Sequence, residues 1–256
     1  MDGTAPPVCR KGARRCLRRK PALARRFGSE GMNVVANYRT DEEGARETVR
    51  AIEEAGGAAA AVRSDVSKAE CVDALFDAAL FSFGGVDIWV NNAGVEAEAT
   101  PSDEKRIDEW QRTVDVNLTG VFAGCRRALD HFLSRGMPGC IVNVSSVHEL
   151  VPWPRFADYA ASKAGVGMLT KTLALEYADR GIRVNAVAPG PIWTPLNPAS
   201  YGLDSDKVKH FGESTPMGRP GQPYELAPAY VFLASDDSSY VSGQVIHVNG
   251  GTVVNG

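Results

Sequence analysis

From Met32 onward the chain alternates short apolar runs with stretches of helical periodicity, and this alternation constrains the fold more than any other feature. The runs are "MNVVANY", "AAAAVRSDVS", "VDIWVNNAG", "GCIVNVSS", "IRVNAVAPG" and "GQVIHVNGG". Between them lie "DEEGARETVRAIEEAGG", "KAECVDALFDAALFSFGG", "DEWQRTVDVNLTGVFAGCRRALDHFLSRG", "DYAASKAGVGMLTKTLALEYADRG" and "ELAPAYVFLAS". Acids at helix starts and glycines after helix ends punctuate them. The apolar runs are continuous rather than alternating, so both faces of each strand are buried. That predicts an α/β fold, a doubly wound parallel sheet between two helical layers, as a single domain over residues 1–256. With 44% hydrophobic residues the chain can build such a core. Residues 190–224 break the pattern with proline, glycine and polar residues, and are expected to form a lid over the substrate.

Charge and cysteine usage limit the partners. A net charge of -3 gives no attraction to nucleic acid or to an anionic membrane. No apolar run is long enough to span a bilayer, and residues 1–20 lack the apolar centre of a secretory signal. No nucleic acid and no membrane partner is expected. The five cysteines (Cys9, Cys16, Cys71, Cys125, Cys140) lack C-x-x-C spacing, which reads as reduced thiols in a cytoplasmic protein, with no metal site.

The stretch "SSVHELVPWPRFADYAASKAG" carries the chemistry. Tyr159 and Lys163 are four apart at the start of a predicted helix and share one face. Ser146 stands at the end of the preceding strand, where ligands bind in open α/β sheets. A phenol titrating near ~10 is a poor acid or base at neutral pH. A neighbouring ammonium favours the phenolate and lowers that value. A serine hydroxyl can hold the reacting oxygen. The chemistry implied is proton transfer at an alcohol or carbonyl, coupled to hydride transfer by a cofactor. Tyr-x-x-x-Lys alone occurs on many helix surfaces. Here it accompanies "NNAG" after one strand, "DVNLTG" in a helix, "APG" after another strand, and Asp65–Val66 after a third.

In that order and combination, these motifs resemble the short-chain dehydrogenase/reductase family, from about Ala22 to the last strand. The resemblance implies a Rossmann fold, usually a homotetramer, using NADP or NAD. It implies a catalytic tetrad of Asn117, Ser146, Tyr159 and Lys163, with Tyr159 as acid/base. Lys163 lowers its pKa and binds the nicotinamide ribose, Ser146 orients the substrate oxygen, and Asn117 holds a water. Asp65 and Val66 would lie at the adenine and Asn91, Ala93 and Gly94 along the adenosine. Pro189, Gly190, Ile192 and Thr194 would border the nicotinamide. The bland readings are a helix cap for Asp65, a turn for Asn91 and a helix bend for Asn117.

The strand ending "VANYRT" has no acid to bind a ribose 2′-hydroxyl, but Arg39 follows it and can pair with a 2′-phosphate. NADP is therefore favoured, with NAD also used. Within the family, "SSVHELVPWPRFADYAASK" and "LALEYADRGIRVNAVAPGPIWTPLN" resemble the bacterial glucose 1-dehydrogenases, which take hydride from C1 of β-D-glucose. A small-molecule sugar or alcohol is thus the expected substrate. Glu96, His148 and Asn197 would offer hydrogen bonds and Trp153 an apolar face. The alternatives are a 3-oxoacyl-carrier or ketone reductase of the same family, and a catalytically silent Rossmann-fold binding or assembly protein.

The last alternative rests on residues 1–21. By position, the family's T-G-x-x-x-G-x-G phosphate loop falls at about residues 13–20, where the chain reads "ARRCLRRK". None of its glycines is there, and the preceding "TAPPVCRKG" is no apolar strand. A G+C-rich gene read in a shifted frame turns Gly and Ala codons into Arg, Pro and Cys codons. The expectation is that another frame over residues 5–22 encodes the missing strand and loop.

Overall fold

The structure is a computed structural model that describes residues 22–194 and 206–254. Its strands are β1 (Val34–Tyr38), β2 (Ala59–Arg63), β3 (Ile88–Asn91), β4 (Gly139–Val144), β5 (Ile182–Pro189) and β6 (Val245–Val248). Its longer helices are α1 (Ala22–Ser29), α2 (Glu42–Glu53), α3 (Ala69–Phe83), α4 (Ile107–Val114), α5 (Gly120–Arg135), α6 (Ala157–Tyr177) and α7 (Pro223–Ala234). Every ladder is parallel, so each connection must cross over, and helices make the crossings. Local chemistry sets their ends. Asp41 caps α2 by accepting from Gly44 N at 3.1 Å. Gln222 and Glu225 close a capping box on α7, with Pro223 in its first turn.

The core lies on both faces of the sheet, as the continuous apolar strands require. Ile141 of β4 packs with Phe76, Val121, Phe132 and Val166 on the side of α3, α5 and α6. Its neighbours Cys140 and Val142 pack with Phe27, Tyr230 and Leu233 on the side of α1 and α7. The two-residue period of one strand thus feeds two helical layers.

Among the described residues the sheet comes in two pieces. β1 pairs with β2, while β3, β4, β5 and β6 form a four-stranded sheet in that order. One edge of β1 and one edge of β3 face no described strand. All residues of β3 and most of β1 are only half-buried, whereas β4 and β5 are largely buried. The pieces still share a core, since Val34 of β1 and Ile88 and Val90 of β3 border one cluster. The basic segment and the phosphate-loop position at residues 13–20 lie outside the described residues.

One expected helix departs from its pattern. The stretch after Arg106 divides into α4, a π-helical turn (Asp115–Thr119) and α5. Gly120 lies against the Val66 carbonyl, and a Cβ there would overlap it. The widened turn brings Asn117 fully inside, at 0% exposure. The expected lid is described at its two ends, residues 190–194 and 206–224. Trp193 N donates to Gly221 O at 2.8 Å and Gly221 N to Pro191 O at 2.9 Å, so the ends are tied together beyond β5.

Candidate active site

The C-terminal ends of β4 and β5 and the start of α6 converge on one place. Tyr159 and Lys163 stand one turn apart on α6, which packs over β5 and the end of β4. Lys163 is buried and its Nζ donates to Val144 O, the last carbonyl of β4, at 2.8 Å. The Ser146 hydroxyl favours the ionised form of the Tyr159 phenol. Ser146 Oγ also accepts from His148 N at 3.2 Å, which fixes the hydroxyl on its turn. The Lys163 ammonium lies 5.7 Å from the Tyr159 ring centroid. Asn117 Oδ1 accepts from Val95 N at 2.8 Å, and Nδ2 donates to Val95 O at 2.9 Å and Ser162 Oγ at 3.2 Å. Its amide thus fastens the main chain just after Gly94. The four residues expected to act together are brought together.

The electrostatics depart from expectation. Burial pushes the Tyr159 phenol up to about 12; the Ser146 hydroxyl opposes this and the Glu96 charge adds to it. Burial pushes the Lys163 amine down to about 8. The sequence led us to expect a phenol held low by its lysine. The ammonium is instead itself desolvated and directed at a carbonyl, so it does not offset the burial of the ring.

The side expected to face the substrate is aromatic. Trp153 stacks on His148 with centroids 4.2 Å apart and on Phe156 with centroids 3.9 Å apart. Two near-parallel rings that close cannot share one indole face without overlapping, so they occupy opposite faces. Trp153 therefore offers an edge, not the open face expected for a sugar to lie on. The indole stands T-shaped to Tyr159 at 5.6 Å. His148 Nδ1 is bonded to Val151 O at 3.0 Å, and burial lowers the imidazole pKa. Asn197 lies outside the described residues.

The expected dinucleotide residues divide into groups. Arg39 and Asp65 line one open cleft of about 720 Å³ with Ser67, Gln111, Arg112 and Asp115. Asp65 Oδ1 accepts from Ser67 Oγ at 2.8 Å and Ser67 N at 3.2 Å, which holds the carboxyl below its ordinary range. The carboxyl closes the turn before α3 rather than capping the helix, whose N-cap is Lys68 with no side-chain cap bond, and the residue faces the cleft. Asn91 turns inward, bonded to Trp89, Cys125 and Asn143, so a ribose contact there falls to the main chain. Val66 is not among the residues lining the cleft; its carbonyl lies against Gly120. Ala93 and Gly94 follow β3, and a Cβ on Gly94 would stand 3.6 Å from Lys163 Nζ and 3.5 Å from Asn117 Oδ1. The glycine leaves a cradle over the tetrad. Pro189 ends β5, and Gly190, whose N donates to Val248 O at 3.0 Å, has no room for a side chain beside Asn249. Ile192 and Thr194 sit at the root of the lid.

A sequence profile described as enoyl-(acyl carrier protein) reductase matches residues 21–253. The chain belongs to the short-chain dehydrogenase/reductase family. It is 72% identical to 3β-hydroxysteroid dehydrogenase 1 of Eggerthella lenta over 230 residues, 90% of this chain and 87% of that protein. It is 45% identical to glucose 1-dehydrogenase 2 of Bacillus subtilis over 230 residues, 90% of this chain and 88% of that one. The crystal structure of a gluconate 5-dehydrogenase from Burkholderia cenocepacia, in complex with NADP and tartrate, superimposes with a TM-score of 0.82 at 38% identity, covering 91% of each chain. The cradle at Gly94 and the cleft at Asp65 and Arg39 fit the two ends of a dinucleotide. Among the described residues, no group of three metal-ligating side chains gathers and no helix is long and apolar enough to cross a membrane.

The sequence reading missed several members of this dehydrogenase site. Gln111 and Arg112 enter the cleft from α4. Ser162 braces Asn117. Asp158, directly before Tyr159, has 0% exposure and pairs with Lys105. The one available signal was an acid in the first turn of a helix, which ordinarily reads as a solvated dipole contact.

Proposed function

We propose that the chain is an NAD(P)-dependent dehydrogenase of a ring secondary alcohol, with 3β-hydroxysteroids as the substrate class. The observation that carries this reading is the 72% identity, over 90% of the chain, to a 3β-hydroxysteroid dehydrogenase. The site supports it. The His148–Trp153–Phe156 stack beside Tyr159 makes an apolar aromatic wall suited to a flat hydrocarbon with one reacting hydroxyl. In alcohol oxidation Ser146 holds the hydroxyl oxygen and Tyr159 accepts its proton. Lys163 holds the nicotinamide ribose and Asn117 fixes the main chain beside it. The nicotinamide, when bound, supplies the hydride acceptor. Arg39 in the adenosine cleft favours a 2′-phosphate and hence NADP, with NAD as second cofactor.

A second reading, oxidation of β-D-glucose at C1, is favoured by the 45% identity to a glucose dehydrogenase and by the Glu96 charge near Tyr159. A panel of a 3β-hydroxysteroid, its 3α epimer, β-D-glucose and acetoin, each with NAD and with NADP, decides between them. Turnover of the 3β alcohol above the others is expected. Turnover of glucose alone replaces the first reading with the second, and no turnover of any member removes both. We further propose a cytoplasmic homotetramer. Phe122 on α5 and Met168 and Leu175 on α6 are exposed at 49%, 63% and 86%, which suits burial between copies. Sedimentation of Leu175→Glu is expected to show smaller assemblies than the parent.

A further inference from the structure

A buried acid outside the expected tetrad stands behind Ser146. Glu149 ends a 3-10 turn (Val147–Glu149), and its side chain is 6% exposed. It brackets Ser146 on both sides. Its main-chain N donates to Ser146 O at 3.0 Å. Its Oε2 accepts at 2.5 Å from the hydroxyl of Ser145, the residue before. Ser145 is buried, and its Oγ also reaches Lys163 O on α6 at 3.0 Å. One turn beyond Lys163, α6 carries Gly167. A Cβ there would stand 2.7 Å from Glu149 Oε2, so the glycine leaves room for the carboxylate. The other carboxylate oxygen, Oε1, faces His247 Nε2 of β6 at 3.5 Å, with that side chain 10% exposed. His247 Nδ1 is buried without a partner, so Glu149 is the polar group this imidazole meets among the described residues. A buried carboxylate is costly unless it is paired and hydrogen-bonded, and here each oxygen has its own partner.

We propose that Glu149 is a positioning residue which, through Ser145 and the Ser146 carbonyl, sets the turn that presents the Ser146 hydroxyl to Tyr159. It acts through Ser146 and not on the substrate. A hydroxyl held there favours the phenolate, the form that can accept the proton of an alcohol. The proposal deepens the reading of Ser146 and Tyr159 given above and rests on it, whichever alcohol is oxidised. The other groups acting on the phenol are Lys163 on its own helix, His148, whose ring lies 6.3 Å away, and the Glu96 charge. The substitutions that follow replace none of them.

The sign of one substitution separates placement from simple charge. Glu149→Ala removes an acid near Tyr159, which by direct electrostatics lowers the midpoint of the phenol or leaves it alone. Loss of the Ser146 placement raises it. The readout is tyrosinate absorbance after a rapid pH jump, taken as the difference from the same protein carrying Tyr159→Phe, with no substrate or cofactor present. Glu149→Ala is expected to raise the Tyr159 midpoint by roughly one pH unit, the order of one hydrogen bond to a charged group. Glu149→Gln keeps an oxygen for Ser145 and with it the parent midpoint. Added to Ser146→Ala, Glu149→Ala is expected to raise the midpoint no further. With an alcohol of the panel that the parent oxidises, kcat is expected to follow. It falls roughly 10- to 100-fold in Glu149→Ala, stays near the parent in Glu149→Gln, and falls no further when Glu149→Ala is added to Ser146→Ala. Where Glu149→Ala does not fold, Ser145→Ala removes one bond of the clasp with little change of volume, and a smaller rise of the same sign is expected. An unchanged or lowered midpoint in the variant that folds, the same rise in Glu149→Gln, or an equal rise in the Ser146→Ala background overturns the proposal. Because the absorbance needs no turnover, failure of the steroid and glucose readings leaves this result standing.

Discussion

At the residue scale, the site places two groups against their solution chemistry. Tyr159 is pushed up to about 12 and Lys163 down to about 8, and both shifts begin with burial. Tyr159→Phe keeps the ring and removes the proton carrier. It is expected to lower kcat by about 10²–10⁴-fold with an unchanged melting temperature; a loss under tenfold would remove Tyr159 as the acid/base. Lys163 makes a stability prediction. Its folded pKa is depressed, so between about pH 8 and 10.5 the unfolded chain binds more protons there than the folded one, and this group's contribution to stability rises with pH. Below pH 8 the folded state carries the full cost of a buried ammonium. Tyr159 acts oppositely at higher pH, because its raised pKa loses stability from about pH 10 to 12. Lys163→Met is therefore expected to abolish activity yet gain about 1–3 kcal/mol at pH 7 by urea unfolding, and to lose that advantage by pH 10. A variant less stable than its parent at pH 7 sinks this account. That Ser146, Tyr159 and Lys163 lie close together was legible in the sequence because they fall within a short window. The pKa directions were not, because burial depends on everything packed around the ring.

At the scale of elements, the strands β3 to β6 and the helices between them fall where apolar runs and glycine stops put them. Continuous runs such as "GCIVNV" leave few alternatives to a strand buried on both faces. The π-helical turn was not legible. A helical pattern spanning Asp108 to Gly136 keeps its apolar period across one widened turn, and the contact between Gly120 and Val66 accompanies the insertion. The Lys105–Asp158 pair was hidden for a similar reason, since each residue reads locally as a solvated charge. Gly120 tests the first point. Gly120→Val forces a side chain into the Val66 carbonyl and is expected to cost about 1–3 kcal/mol, seen as a lower urea midpoint at unchanged m value. Because Val116 and Asp65 line the same cleft, the variant is also expected to bind dinucleotide more weakly than its stability loss explains. A variant as stable as the parent would show that the helix does not need its glycine.

At the scale of the whole molecule, the two-piece sheet sets how the described chain holds together. β1, α2 and β2 form one block, and the four-stranded sheet with its helices forms the other. No described ladder joins them. Among the described residues they are joined by side-chain packing: Leu23, Phe27, Met32 and Val34 meet Ile88, Val90, Tyr230 and Leu233 in one cluster. Blocks joined through side-chain packing open separately at lower free energy than strands within one ladder. The aromatic residues provide the probe. All four tryptophans, Trp89, Trp110, Trp153 and Trp193, belong to the larger block. Their fluorescence reports that block alone, while far-ultraviolet circular dichroism reports both. In urea the dichroism is expected to begin falling before the tryptophan signal, the mark of departure from two-state unfolding. Phe27→Ala cuts the shared cluster and is expected to widen the gap between the two curves. Addition of NADP is expected to act in the other direction: a dinucleotide bound as proposed, at Arg39 and Asp65 at one end and at Tyr159 and Lys163 at the other, would draw the curves together. Coincident transitions with and without NADP, in the parent and in Phe27→Ala alike, would show that the blocks unfold as one.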